Sequence, residues 1–346
     1  MTYIYKNIIK QKIIDVSKNK FIKFGVHGQG IFMFSCENST NANFYIYNKD
    51  YSDGLYIQFT KKGVTVRHIV SGKFLIDSNS TIGLIDNQNA YYWFSLDAQN
   101  TKLMAGYGEA RVENKTYIYD FKSSYRNELE TLFKIELDSD NIKPLKCIRD
   151  PVRDIIPLVV KNTNQLTMED IATSKYLPHS SLSTVGKQLY DCVSGKKFVL
   201  NTDDFPEFTS AIEYSIRTPG CFCYNRLREK STEFNPDKPN LNETYLRITL
   251  GENNGESPGI PYVMEIWPVG HYSPVHNHSA ANAIIRVLNG SINVNLYPFL
   301  GDNVEPFGNV NFNKNDVTWI SANLNQVHKL ENLKTNKVEE IKIDGL

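Results

Sequence analysis

The segment "GHYSPVHNHSAANAIIRVLNG", residues 270–290, carries three of the chain's seven histidines within eight residues. His276 and His278 stand two apart and lead into an apolar, β-branched run. In an extended strand, residues i and i+2 leave the same face about 7 Å apart at the backbone, so both imidazoles can converge on one ion. A third ligand must come from elsewhere, and the stretch 185–346 offers only His271 and His328. His328 lies in "NQVHKLEN", 50 residues beyond His278, where a sheet folding back on itself would return it to the pair. His271 precedes the pair at a turn, where exposure or a supporting role fits better than ligation. The ligand set is therefore His276, His278 and His328.

Upstream, "ETYLRITLG" alternates, with Tyr245, Arg247 and Thr249 on one face and Leu246, Ile248 and Leu250 on the other. If the apolar face packs under helices, the polar face lines a cavity. A strand arginine on a solvated face is the competing reading.

These residues need a β scaffold, and the sequence predicts two. From residue 20 to about 138, runs such as "NFYIYN", "GLYIQFT", "GVTVRHIV", "YYWFSLD" and "KTYIYDF" are separated by Gly, Asn and Asp clusters. That spacing predicts an antiparallel sandwich. His27 and His68 fall inside such runs and read as hydrogen-bonded structural histidines. Residues 139–184 form a Pro-containing connector with short helices, one opening at Thr167 with Asp170 three residues on, as in a capping box. Helices are also expected over "SSLSTVGKQLYDCVSG" and "TDDFPEFTSAIEYSIRTPG", the latter closed by Pro219-Gly220. Strands resume after residue 240. The expected organisation is a β-sandwich over 1–138, the connector over 139–184 and a β-barrel over 185–346. The fold class is mainly β.

Composition narrows the function classes. Lys plus Arg and Asp plus Glu both number 38, so the net charge is zero. No basic stripe is present, and a nucleic-acid partner is not expected. No apolar run approaches the roughly 20 residues that span a bilayer, and the N-terminal stretch lacks a continuous apolar core. The expectation is a cytoplasmic protein with no membrane partner. Five cysteines, an odd number, read as free thiols. Cys221 and Cys223 form C-x-C without a second pair.

The text from Gly270 through His276-x-His278 to His328 resembles the cupins, and within them the cysteine dioxygenase family of thiol dioxygenases. The resemblance covers roughly residues 185–340. Asn282 and Ala283 stand where most cupins carry a glutamate, which leaves three histidines and no carboxylate, as in that family. It implies a jelly-roll metalloprotein that uses iron and dioxygen to oxidise a small thiol substrate, cysteine or 3-mercaptopropionate, to the sulfinate. Ferrous iron is the expected cofactor, with zinc or nickel as the other ions that suit three imidazoles. It further implies that Arg247 holds the substrate carboxylate, for which a planar guanidinium is suited. Tyr245 accompanies it as a substrate-binding residue. Ala283 replaces the cysteine of the family's cross-link. The residues after His328 include no Tyr, Ser or His, so the family's serine–histidine–tyrosine relay has no counterpart and no catalytic residue is assigned.

The N-terminal stretch "YYWFSLDAQNTKLMAGYGEA" is similar to farnesoic acid O-methyltransferase-like domains, with Trp93, Ser95, Gly106 and Gly108 in the matching places. That resemblance implies a small β-sandwich that binds a glycan or protein partner. The alternative to the enzyme is thus a non-catalytic, metal-bearing cupin joined to a structural or binding sandwich.

Overall fold

A computed structural model describes the chain except residues 1–20, 37–40, 71–72, 80–81, 88, 139–140, 153–154, 195–198, 235, 252–261, 279–280, 322–326, 334–341 and 346. The described residues fall into two compact units, one running to Ile155 and including Gly301–Val304, the other formed by Ile156–Leu300 and the residues from Glu305 onward.

The first unit is a two-layer sandwich of antiparallel sheets. One sheet has the order β1 (Phe21–Lys23), β10 (Lys134–Leu137), β3 (Asn41–Tyr47), β4 (Asp53–Thr60), β5 (Gly63–Val70) and β6 (Lys73–Asn79). The other has the order β11 (Ile142–Ile148), β2 (Gln29–Cys36), β7 (Tyr91–Asp97), β8 (Lys102–Tyr107) and β9 (Lys115–Asp120). The helix α1 (Arg126–Leu129) precedes β10. Strict alternation makes the layers: in β3, Ala42, Phe44 and Ile46 are buried while their neighbours are not. The core is aromatic across the sheets, with Phe34 4.5 Å from Phe44 and Phe44 5.2 Å from Phe94 between ring centroids. Each such ring removes enough apolar surface from water to contribute about 2–3 kcal/mol.

Two expectations change here. The stretch 142–148 was expected in the connector, but it pairs with β2 from Ile142↔Cys36 to Ile148↔Ile31 and completes the sandwich. Its single proline, Pro144, sits beside the register shift, where the ladder tolerates a missing donor. His68 is fully buried and packs edge-on against Tyr125 at 4.6 Å, yet neither ring nitrogen has a hydrogen-bond partner, contrary to the bonded histidine expected. His27 stacks on Phe133 at 4.3 Å.

The second unit holds the histidines. After a two-residue parallel pair, β12 (Val160–Lys161) with β13 (Leu177–Pro178), come the helices α3 (Thr184–Ser194), α4 (Phe208–Arg217) and α5 (Phe222–Phe234). Helix α2 (Met168–Ala172) lies between β12 and β13, and it opens with the Thr167/Asp170 capping box. α5 was not anticipated: its sequence, "FCYNRLREKSTEF", has a weak apolar stripe, and only Cys223 and Leu227 join the core.

Two sheets then face each other. The first has the order β14 (Leu246–Gly251), β15 (Tyr262–Trp267), β21 (Lys342–Gly345), β16 (Ala283–Asn289) and β19 (Val317–Ile320). The second is β18 (Gly308–Asn313), β17 (Ser291–Tyr297) and β20 (Val327–Glu331). Trp267 and Val287 from the first pack against Ile292, Val294, Leu296 and Phe312 from the second. Among the described residues the two sheets are separate ladders, so the expected barrel is an open pair of layers, not a closed ring. On the outer face of β14 and β15, Leu246, Met264 and Ile266 pack with Cys223 and Leu227 of α5 and with Phe208, Ile212 and Ile216 of α4. Among the described residues no cysteine is in a disulfide. Among the described residues no helix is long and apolar enough to cross a membrane.

Gly106 marks a site where the sandwich tolerates no side chain. It sits at the β8–β9 register shift, and a Cβ there would meet the Asn114 carbonyl and stand 2.6 Å from the Trp93 ring. Gly106→Ala is expected to destabilise the protein by about 1–3 kcal/mol, the cost of overpacking a rigid site. Chemical denaturation followed by Trp fluorescence checks it, and an unchanged midpoint would contradict the packing described.

Candidate metal centre

The loop from β15 to β16 runs antiparallel to β20, and this pairing builds the centre. Gly270, at φ 82°, turns the chain after β15 in a conformation that favours glycine. Its N–H then donates to the Asn332 carbonyl at 2.7 Å, and the Ser273 N–H donates to the Leu330 carbonyl at 2.9 Å. The run ends in a reciprocal pair: the His276 N–H donates to the His328 carbonyl at 3.0 Å, and the His328 N–H to the His276 carbonyl at 2.9 Å. Residues paired in this way project from one face, so the two imidazoles meet at 4.6 Å between centroids. His278, two residues on, joins them at 5.1 Å from each.

One nitrogen from each of His276, His278 and His328 lies within 4.8 Å of the others, a group able to hold a metal ion. His328 is buried and the other two are half-buried. The tautomer of His276 fits ligation. Its Nδ1 lies 2.9 Å from the Pro274 carbonyl, which can only accept, so Nδ1 carries the proton and Nε2 keeps its lone pair for a metal. Burial lowers the pKa of His278, and the neighbouring His276 and the Arg247 charge lower it further, which favours the neutral form a metal requires. An N3 donor set without a carboxylate leaves the full charge on a divalent ion and room for further ligands.

His271 stands apart from this group. It is buried, and its Nδ1 faces the Thr244 carbonyl at 3.0 Å and the Thr244 hydroxyl at 3.2 Å. Thr244 is itself fully buried, and its hydroxyl donates to the Leu241 carbonyl at 2.6 Å. The histidine therefore ties the segment before β14 to the histidine-bearing loop. Asn332 makes a similar clasp: it is fully buried, and its side-chain amide donates to the Trp267 carbonyl at 2.6 Å.

Arg247 of β14 and Tyr245, just before that strand, lie on the side opposite the one covered by α4 and α5. Tyr245 stacks on Trp267 at 4.3 Å, and burial raises the pKa of its hydroxyl. Arg247 is exposed on this edge strand, and its charge reaches His278. Directly across the ladder from Arg247 stands Glu265, 5 % exposed. Burial pushes the Glu265 carboxyl up to about 7, against the opposing pull of Arg247, the nearby Trp267 indole and Lys230. The Trp267 N–H is close enough to ease ionisation of Glu265, but it lies outside hydrogen-bond geometry and has no partner. Sequence inspection did not single out Glu265. Its signal was present in "YVMEIW", where one acid interrupts a strand that is apolar on both faces.

No family model matches the sequence, and no curated protein matches it. Solved structures align with parts of the chain. A galectin, LEC-6 of Caenorhabditis elegans, aligns with 37 % of this chain and 87 % of its own at 8 % identity, with a TM-score of 0.29. The sialidase carbohydrate-binding module CBM40 of Ruminococcus gnavus aligns over 37 % and 79 % at 12 % identity, with a TM-score of 0.28. A cupin 2 domain-containing protein of Halorhodospira halophila aligns over 30 % and 63 % at 18 % identity, with a TM-score of 0.22. Likenesses this weak identify no family.

Two measurements address the centre. Replacing His276, His278 or His328 with Ala is expected to cut bound divalent metal at least tenfold, because two ligands seldom retain an ion against buffer. His271→Ala should keep the metal and lose about 1–2 kcal/mol of stability with its hydrogen bond. Elemental analysis of dialysed protein decides; a site emptied by His271→Ala alone would reverse the assignment.

Glu265 makes a separate prediction for stability against pH. Its folded value of about 7 exceeds the ordinary 4.5, so between those values the folded chain holds a proton that the unfolded chain releases. Its contribution thus falls as pH rises through that window and levels off above about 7. Glu265→Gln should therefore stabilise the protein by up to about 3 kcal/mol at pH 8 and by almost nothing near pH 4. Denaturant midpoints at both pH values test this; equal shifts at the two would contradict it.

Proposed function

We propose that this protein is a thiol dioxygenase-like metalloprotein that oxidises the sulfur of a small thiol carboxylate, cysteine or 3-mercaptopropionate, to the sulfinate. The observation that carries the reading is the convergence of His276, His278 and His328 within 4.8 Å, with Nε2 of His276 left as a lone-pair donor. Iron held there would supply redox chemistry and a place for dioxygen; zinc or nickel would suit the same nitrogens. The overall conversion balances without a further reductant, since sulfur gives up four electrons and both atoms of dioxygen enter the sulfinate.

The chain's own residues do the positioning. Arg247 offers a planar guanidinium to the carboxylate, close enough to the histidines for its charge to act on His278. Fixing the far end of the substrate removes much of the entropic part of the barrier. Tyr245, stacked on Trp267 and with its hydroxyl kept protonated by burial, forms the wall beside it. Trp267, Val287 and Leu296, all buried, make the floor between the two sheets dry.

A second reading is favoured by one feature of the sandwich. Tyr45, Tyr47, Tyr51 and Tyr56 form a chain of ring contacts at 5.0–5.7 Å on the sheet holding β3 and β4, flanked by Arg67 and Lys134. Asn43 accepts from both the Tyr56 hydroxyl and the Gln58 amide, which turns its own NH2 group away from them. Aromatic rings among amide and cationic groups suit a glycan or a protein loop, and in this reading the metal-bearing unit would be structural.

Oxygen uptake by iron-loaded protein separates the two. A thiol with a carboxylate should drive uptake, and Arg247→Ala should raise the apparent KM at least tenfold, about 1.4 kcal/mol, the scale of a lost charge-assisted contact. A thiol without a carboxylate should be a poor substrate for both proteins. No thiol-dependent uptake in protein shown to hold iron would favour the binding-protein reading.

A further inference from the structure

We propose that Glu265 is a positioning residue for Arg247, and that a small carboxylate binding at Arg247 draws a proton onto Glu265. The proposal rests on the carboxylate-binding role given to Arg247 above.

Arg247 and Glu265 are opposite members of the β14–β15 ladder, so their side chains leave the same face. Arg247 is exposed at the sheet edge, whereas Glu265 is 5 % exposed behind it. The neighbours of Glu265 can be named element by element. From β14 comes Arg247, and from just before that strand Tyr245; from β15 comes Trp267, 1 % exposed, whose indole N–H has no partner. From α5 comes Lys230, whose ammonium lies 4.7 Å from the Tyr245 ring centre. Burial lowers the Lys230 pKa; Arg226 and Arg247 lower it further, while Glu233 and Glu265 oppose them. On β21, Asp344 holds the register position opposite Glu265. Arg247 in turn acts on His278.

A buried carboxylate is tolerable only while a cation stays beside it. In the unliganded protein the Arg247 charge, at the opposite register position, is what favours the ionised form of Glu265. An incoming carboxylate needs the same guanidinium and adds a second negative charge to the site. Two carboxylates sharing one cation are best relieved when one of them is protonated, and the buried one is the better proton acceptor. With its carboxyl at about 7, Glu265 can take up that proton near neutral pH. The Arg247 charge then serves the ligand's carboxylate alone. If only the protonated form admits the ligand, the competent fraction falls from about nine-tenths at pH 6 to about one-tenth at pH 8, and apparent affinity falls in proportion.

Propionate is the probe, because it lacks the thiol and needs neither metal nor dioxygen. Ligand-observed NMR on the full chain should give a Kd about tenfold weaker at pH 8 than at pH 6. Glu265→Gln should bind as wild type does at pH 6 and lose most of that ratio. Glu265→Asp, which keeps the carboxyl, should retain it, and Arg247→Ala should bind at neither pH. The histidines are common to the wild type and the Gln variant, so a full tenfold ratio in Glu265→Gln would assign the effect to them and overturn the proposal. Weaker binding by Glu265→Gln at pH 6 would also overturn it, by making Glu265 a structural residue only. Should the Gln variant not fold, calorimetry of wild type at pH 7 in two buffers of different ionisation heat decides. Uptake of about half a proton per propionate supports the proposal, and none refutes it. The propionate result stands apart from catalysis: a proton-linked site in a protein without thiol-dependent oxygen uptake would sink the dioxygenase reading and leave this proposal intact.

Discussion

The pair of backbone hydrogen bonds between His276 and His328 is the constraint on which the candidate centre depends. Two amide–carbonyl contacts of 2.9 and 3.0 Å fix a loop residue against a strand residue 52 positions later in the chain. The imidazoles then share a face because antiparallel partners must. His278 follows from the two-residue period of extended chain. Gly270, Ser273 and Asn332 hold the same run in register, and His271 anchors it to Thr244. Each supporting contact contributes only about 1 kcal/mol, yet leaving a buried member unpaired costs more, so the arrangement is cooperative.

Beside this geometric constraint stands an electrostatic one. The face of β14 and β15 that looks toward the three-stranded sheet carries Tyr245, Arg247, Glu265 and Trp267, while the reverse face is apolar beneath α4 and α5. A carboxyl buried there resists ionisation even against the pull of Arg247 and Lys230. The same guanidinium is the group best suited to a carboxylate ligand. In the proposed reading an ionised Glu265 and a bound carboxylate draw on one positive charge, and protonation of Glu265 would meet both demands.

The two units obtain their cores differently. The sandwich relies on rings meeting between sheets, as with Phe34, Phe44, Phe59 and Phe94, and its strands could be read from alternation alone. The histidine-bearing unit fills the space between its sheets with Trp267, Val287 and the aliphatic residues of β17, and covers its outer faces with helices. Its α5 was invisible to periodicity because only Cys223 and Leu227 enter the core, leaving most of its length to solvent and to the Arg226–Glu229–Glu233 ion cluster. β11 was masked by Pro144, a residue that argues for a connector until a partner strand with a matching irregularity is seen.

By itself the sequence determined the mainly β class, the alternating strands, the capping box at Thr167 and the residue types able to ligate a metal. Those properties are local: they depend on side-chain periodicity of two, on turn residues and on the chemistry of imidazole. Tertiary structure decided what depends on contacts distant in the chain. It set which nitrogen of His276 is free, through a carbonyl at Pro274, and it turned His271 toward Thr244 instead of the other three histidines. It also placed Glu265 opposite Arg247 and out of water, because strand register and burial are properties of the paired sheet and not of either strand alone.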